Sequence, residues 1–134
     1  MKLHDFRMLV NDFAASFHFW HEIVGLSTIF RDENNIYAEL DAGNVRMELL
    51  DASYFASSLG EATPAPIQSG HRGVIAFQSD DVDATYADLV KRGAPSLAAP
   101  HVQQAGFARI ALFSAPDGYV LEVFTSLRDF PNQA

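Results

Sequence analysis

The chain has 134 residues, 49% of them apolar, and carries a net charge of −8 with a pI near 4.8. This fits one compact domain or two half-size modules sharing a core and excludes a disordered chain, while the acidic field repels phosphate backbones and anionic bilayers, so nucleic acid and membrane are not expected partners. No cysteine is present, which removes disulfides, thiolate metal sites and cysteine nucleophiles together.

Residues 3–10 alternate as a strand, with Phe6, Met8 and Val10 on one side and Asp5, Arg7 and Leu9 on the other. With charges at Lys2, Asp5 and Arg7 the opening segment is not expected to act as a signal peptide, and no stretch approaches the roughly 20 apolar residues of a membrane span, so a cytoplasmic location is expected. Asp12 is a helix N-cap, and Phe13, Phe17, Trp20, Ile23 and Val24 recur at helical spacing until Gly25 stops the helix. Trp20 lies on the apolar stripe and is assigned to the core; His18 and His21 are placed on a solvated helix face. Residues 27–32 and 36–41 read as strands around the turn Glu33-Asn34-Asn35. A second turn at Asp41–Asn44 leads to a strand over Val45–Leu50, with Val45, Met47 and Leu49 on one face and Arg46, Glu48 and Leu50 on the other.

Residues 51–70 break this pattern with Ser, Ala, Gly and two prolines, and read as a linker with one short helical turn around Tyr54–Ser58. The grammar then repeats. Gly73–Gln78 is a strand, Asp81 caps a helix containing Val82, Tyr86, Leu89 and Val90, and Lys91-Arg92-Gly93 closes it. Residues 96–98 form a short strand and 101–106 a loop holding His101. Phe107–Ser114 and Tyr119–Thr125 are strands joined by the turn Ala115-Pro116-Asp117-Gly118.

Asp12 and Asp81 cap equivalent helices 69 residues apart, and Glu48 and Glu122 occupy equivalent last strands 74 apart. This spacing argues for duplication. The expected fold is α+β, with two βαβββ modules forming a cupped, curved mixed sheet and helices on its outer face. The first module spans 1–50, the linker 51–70, the second module 71–127 and a C-terminal tail 128–134.

Across the Pro116-Asp117 hairpin, Glu122 is expected opposite Phe113. That register would direct Phe107, Arg109, Ala111 and Phe113 into the cup, and Ile110 and Leu112 toward the helix. The corresponding hairpin of the first half puts Tyr37 near Glu48. Arg7, Tyr37, Arg46, Phe107, Arg109 and Phe113 are therefore the candidate ligand-binding residues: aromatic walls with a few converging charges. Neither a GxSxG elbow nor a glycine-rich phosphate loop occurs.

The segment DFRMLVNDFAASFHFWHEIVGLS resembles the opening strand and helix of the vicinal oxygen chelate superfamily, which includes glyoxalase I, bleomycin-resistance proteins and extradiol dioxygenases. Asp12, Ser16, Phe19, Trp20 and Gly25-Leu26 fill that frame. In the second half Asp80-Asp81-Val82-Asp83, Lys91-Arg92-Gly93 and Pro116-Asp117-Gly118-Tyr119-Val120-Leu121-Glu122 are similar to the family's pattern. The resemblance covers nearly the whole chain and implies the two-module fold. It also implies a homodimer and a cup that holds a small molecule, with apolar residues of 51–67 as candidates for covering it.

In metal-dependent members of the family, first and last strands supply the ligands. The positions the resemblance designates here are Asp5, Glu48, Val74 and Glu122. Valine cannot coordinate. His4 is one residue out of register, so strand alternation points it away from the cup, and His71 precedes its strand. The remaining Asp5, Glu48 and Glu122 offer only oxygen, which suits Mg²⁺, Mn²⁺ or Ca²⁺, while Arg7, Arg46 and Arg109 are placed to neutralise these carboxylates instead.

The expectation is a protein that binds a small organic ligand without a complete metal site, and no cofactor. The alternative is a divalent-metal-dependent lyase, isomerase or dioxygenase using Glu48 and Glu122, with Glu122 as its catalytic residue.

Overall fold

A computed structural model describes residues 1–61 and 70–128. The chain divides into two compact units that part between residues 69 and 70. The first runs β1 (Asp5–Val10), α1 (Phe13–Phe17), a π-helical turn (His18–Ile23), β2 (Ser27–Arg31), β3 (Tyr37–Asp41), β4 (Arg46–Asp51) and α2 (Ala52–Ser58). The second runs β5 (Gly73–Gln78), α3 (Val82–Lys91), β6 (Ser96–Val102), β7 (Ala108–Ser114), a tight turn (Pro116–Gly118) and β8 (Tyr119–Ser126). Residues 62–69 of the expected linker and 129–134 of the expected tail lie outside the described residues. The rest of the linker holds α2, longer than the single turn expected and capped by the Asp51 carboxylate, which accepts from Tyr54 N. Among the described residues no helix is long and apolar enough to cross a membrane.

Each unit is a four-stranded mixed sheet of the same topology, β1-β4-β3-β2 and β5-β8-β7-β6. In both, the first strand pairs in parallel with the last and the other pairings are antiparallel. The βαβββ order is thus repeated, as two separate sheets. The parallel pairing requires a crossover, which the helix supplies. Both helices start on the expected aspartates: Asp12 accepts from Ala15 N and Asp81 from Ala84 N, each at 3.0 Å. These bonds satisfy donors that a helix N-terminus otherwise leaves open. Gly93, at φ 102°, ends α3 in the left-handed conformation that favours glycine.

Strand alternation assigns the first sheet's faces. Met8 and Val10 of β1, Ala38 and Leu40 of β3, and Met47 and Leu49 of β4 are all buried. So are Phe13, Phe17, Phe19, Trp20 and Ile23 of the helical segment, and α1 packs on β4. Trp20 is 0% exposed, as its place on the stripe predicts. The helix does not continue regularly to Val24, because the chain widens into the π-helical turn after Phe17. His21 consequently leaves the solvated face. Its Nδ1 lies 2.7 Å from the Leu26 carbonyl oxygen and its ring lies 5.0 Å from Phe17. Arg31 covers the same ring, its guanidinium carbon 4.0 Å from the Phe17 centroid.

Two expectations for the second sheet are overturned. First, β6 runs through His101 to Val102 where a loop was expected. Pro100 is tolerated because β6 is an edge strand and its register with β7 shifts between Ala98 and His101. Second, Glu122 pairs with Leu112, and Phe113 pairs with Leu121. The turn is one residue longer than the expected two-residue hairpin loop, because Asp117 at φ 63° and Gly118 at φ 80° carry the chain through three residues. A one-residue slip exchanges the faces of every side chain on the strand. Phe113 therefore packs on Tyr86 of α3, ring centroids 5.3 Å apart, and is fully buried. Arg109 grips Asp83 at the start of α3 through Nε and Nη2, both at 2.8 Å. Both residues face the helix, not the open side.

Candidate functional site

The open face of the first sheet carries Asp5, Arg7 and Leu9 of β1, Tyr37 and Glu39 of β3, and Arg46, Glu48 and Leu50 of β4. The ladder sets Arg7 beside Glu48, Glu48 beside Glu39, and Leu50 beside Tyr37. Glu48 is 1% exposed, a carboxylate held out of water on a central strand. A charge in that position requires a partner. Arg7 provides it, donating from Nε to Glu48 Oε1 at 2.7 Å, and the same nitrogen lies 3.6 Å from Asp5 Oδ1. Arg46, expected to serve the same carboxylate, is drawn instead to Glu39 on the neighbouring strand at 3.3 Å.

Tyr37 completes the cluster. Its hydroxyl donates to Glu39 Oε1 at 3.0 Å. Burial raises its pKa well above the usual phenol value, and Glu48 and Glu39 add to the rise, so it remains a neutral donor. Asp5 is displaced downward, chiefly by the His4 hydrogen bond; burial opposes this and the Arg7 charge reinforces it. Glu48 in turn raises the pKa of Arg7 through the hydrogen bond and the ion pair.

His4 departs from its expected direction. Alternation does not bind it, because β1 begins only at Asp5. Its Nδ1 lies 2.6 Å from Asp5 Oδ2, and ligand atoms of His4, Asp5 and Glu48 all fall within 4.8 Å of one another. This is the group of described residues with metal-ligand potential, one imidazole nitrogen and two carboxylates.

Beside the cluster lies a hollow of about 800 Å³. Its floor is the open sheet face at Arg7, Leu9, Tyr37 and Leu50, and Phe30, Asp32 and Ile36 come from the edge strand and the turn after it. Tyr54, Phe55 and Ser58 of α2 supply the remaining wall. Among the expected ligand residues, Arg7 and Tyr37 line this hollow and Arg46 stands in the adjoining ion pair. The α2 aromatics come from the segment named as a cover for the cup. Phe30 and Asp32 line the hollow without being among the expected ligand residues. Their signal is the adjacent apolar pair Ile29-Phe30, where β2 shifts register between Thr28 and Phe30 and sets Phe30 across from Glu39.

In the second unit, β5 exposes Val74, Ala76 and Gln78 along one face, and the ladder sets Ala76 beside Glu122 and Glu122 beside Leu112. Burial among these neighbours raises the Glu122 pKa. Phe107 precedes β7 and lies under the Arg128 guanidinium, 5.1 Å from its ring centroid. His71 is exposed ahead of β5, and His101 is exposed on the edge strand with its Nδ1 2.7 Å from the Ala99 carbonyl oxygen. Of the four positions that the resemblance designates for a metal, Val74 offers no ligand atom and Glu48 is already bonded to a guanidinium. The residues do not fit the full family set.

Comparison with known proteins agrees with the repeated topology. A Bacillus subtilis (strain 168) protein, the uncharacterized protein YraH, is 33% identical over 128 residues, covering 95% of this chain and 100% of that protein. The crystal structure of a glyoxalase/bleomycin resistance protein/dioxygenase from Nocardioides superposes with a TM-score of 0.83 at 24% identity, covering 100% of this chain and 89% of that one. A lactoylglutathione lyase from Agrobacterium tumefaciens shares the fold with a TM-score of 0.69 at 16% identity, covering 92% of each chain. Residues 2–123 match the family described as the Glyoxalase/Bleomycin resistance protein/Dioxygenase superfamily. The chain belongs to that superfamily.

Proposed function

We propose that this chain is a cytoplasmic protein that binds a small organic molecule in the hollow of its first unit without a complete metal site. The observation that carries this reading is the Arg7–Glu48 ion pair. A guanidinium already neutralises the buried carboxylate that a metal would need, at 2.7 Å. The hollow beside it has the composition of a ligand site: mostly apolar and aromatic walls with few polar groups. Its size, about 800 Å³, is within the range of pockets for drug-sized molecules.

A second reading rests on the grouping of His4, Asp5 and Glu48 within 4.8 Å. If Arg7 swung away, these residues would offer a divalent ion one nitrogen and two carboxylates. The chain would then be a metal-dependent lyase, isomerase or dioxygenase, with Glu48 among the ligands of the ion.

Calorimetric titration of chelator-stripped protein with Mn²⁺, Ni²⁺ and Zn²⁺ separates the two readings. The binding reading expects no site of micromolar affinity, together with stabilisation by small aromatic molecules in a thermal-shift screen. Micromolar metal binding that is lost in Glu48→Gln would overturn it in favour of the enzyme.

A further inference from the structure

The ligand's class follows from what the hollow leaves unsatisfied, and this step rests on the binding reading above. Tyr37 commits its hydroxyl hydrogen to Glu39, and Ser58 Oγ donates to the Phe55 carbonyl at 2.6 Å. Asp32 Oδ2 accepts from the backbone nitrogens of Asn34 and Ile36. Arg7 differs. Its hydrogen bond to Glu48 leaves from Nε, and among the described residues its terminal nitrogens have no protein partner. The side chain is 57% exposed and lines the hollow. A guanidinium only donates, so the group it meets must be an acceptor.

Charge then selects among acceptors. Arg7 carries one positive charge between the two carboxylates of Asp5 and Glu48, and Asp32 adds another carboxylate to the wall. The chain as a whole is at −8. An anionic ligand would enter against this field, whereas a neutral carbonyl-type oxygen accepts from the guanidinium without that opposition. The walls select the body of the ligand. Phe30, Tyr54 and Phe55 are 51%, 53% and 37% exposed, so three partly uncovered rings border one depression. Aromatic surfaces of this kind favour flat rings, which gain stacking or edge-to-face contact beyond area burial.

We propose that the hollow takes a neutral, planar aromatic molecule bearing a carbonyl-type acceptor, with the acceptor on the terminal nitrogens of Arg7 and the rings against Phe30, Tyr54 and Phe55.

A matched set of probes tests this on the full chain: fluorenone, fluorene, which lacks the acceptor, and a fluorene carboxylate, which is anionic. Binding is followed by amide chemical-shift perturbation in two-dimensional NMR. Fluorenone is expected to perturb the amides of the hollow and to bind about tenfold more tightly than either of the others. Arg7→Lys retains a positive charge for Glu48 but loses the fork, and should erase the preference for fluorenone over fluorene. Phe30→Ala/Tyr54→Ala removes half-exposed rings, leaves the fold intact and should weaken fluorenone by about tenfold. Equal binding of fluorene and fluorenone, or tightest binding by the carboxylate, would overturn the ligand class and leave the hollow as a binding site. Failure of all three to perturb the hollow would overturn both.

Discussion

Arg7 shows how much one side chain can decide. It is half-exposed, yet it is the cation that permits Glu48 to be buried. Arg7→Met strands that carboxylate and is expected to lower stability by about 2–3 kcal/mol, somewhat below the cost of breaking a pair buried on both sides. Urea denaturation measures the loss, and Arg7→Met/Glu48→Leu should recover most of it, because the uncompensated charge leaves with the arginine. Glu122 presents the opposite case, a carboxyl whose pKa is raised by burial alone. In the unfolded chain it loses its proton at lower pH than in the folded one. Its ionisation therefore subtracts stability as pH rises from the unfolded value through the raised folded value. Glu122→Gln is expected to raise the thermal midpoint at pH 7 and to have no effect at pH 3, where both states are protonated. A midpoint unchanged at both pH values would show that the carboxyl is not desolvated. Alternation groups Arg7 with Asp5 and Leu9 on β1, and Glu48 with Arg46 and Leu50 on β4, once each strand is recognised. The actual partner of Arg46 could not, because Glu39 becomes its neighbour only through the β3–β4 ladder.

Elements were most legible where a boundary signal was local. Asp12 and Asp81 announce their helices in sequence, and each accepts the expected backbone hydrogen bond. Asp81→Ala is expected to cost about 1 kcal/mol, readable as a lower urea midpoint at unchanged slope. Asp81→Asn should retain most of that stability, since its side-chain oxygen still accepts. Boundaries that depend on a partner were harder. β6 continues across Pro100 because an edge strand needs hydrogen bonds on one side only, a circumstance hidden until the strand order is known. The turn at Pro116–Gly118 is legible in the sequence, but its length is not, and one added residue reverses the faces of Phe113 and Arg109. The same register makes Arg109 a clamp on α3, so Arg109→Ala should leave fluorenone affinity at the first unit unchanged while Phe30→Ala/Tyr54→Ala lowers it. An equal loss from both would argue that the probe does not sit where the first sheet's open face places it.

For the whole molecule, the twofold repeat of one topology is the dominant fact. The family resemblance carries with it a proposed homodimer, which sedimentation equilibrium tests: the expected mass is about twice the 14.8 kDa of one chain. A mass of one chain at micromolar concentration would count against it. The sequence by itself determined the class of the fold, the duplication and the identity of the groups available for chemistry. Those properties are written in period, capping residues and composition, which act within a few residues of one another. Only the tertiary structure decided which of those groups meet. His4 reaches the Asp5–Glu48 pair because the strand begins after it, and the aromatics of α2 meet those of β2 and β3 around one hollow. Such contacts join residues far apart in the chain, and they depend on strand order and on a register that a single extra turn residue can reverse.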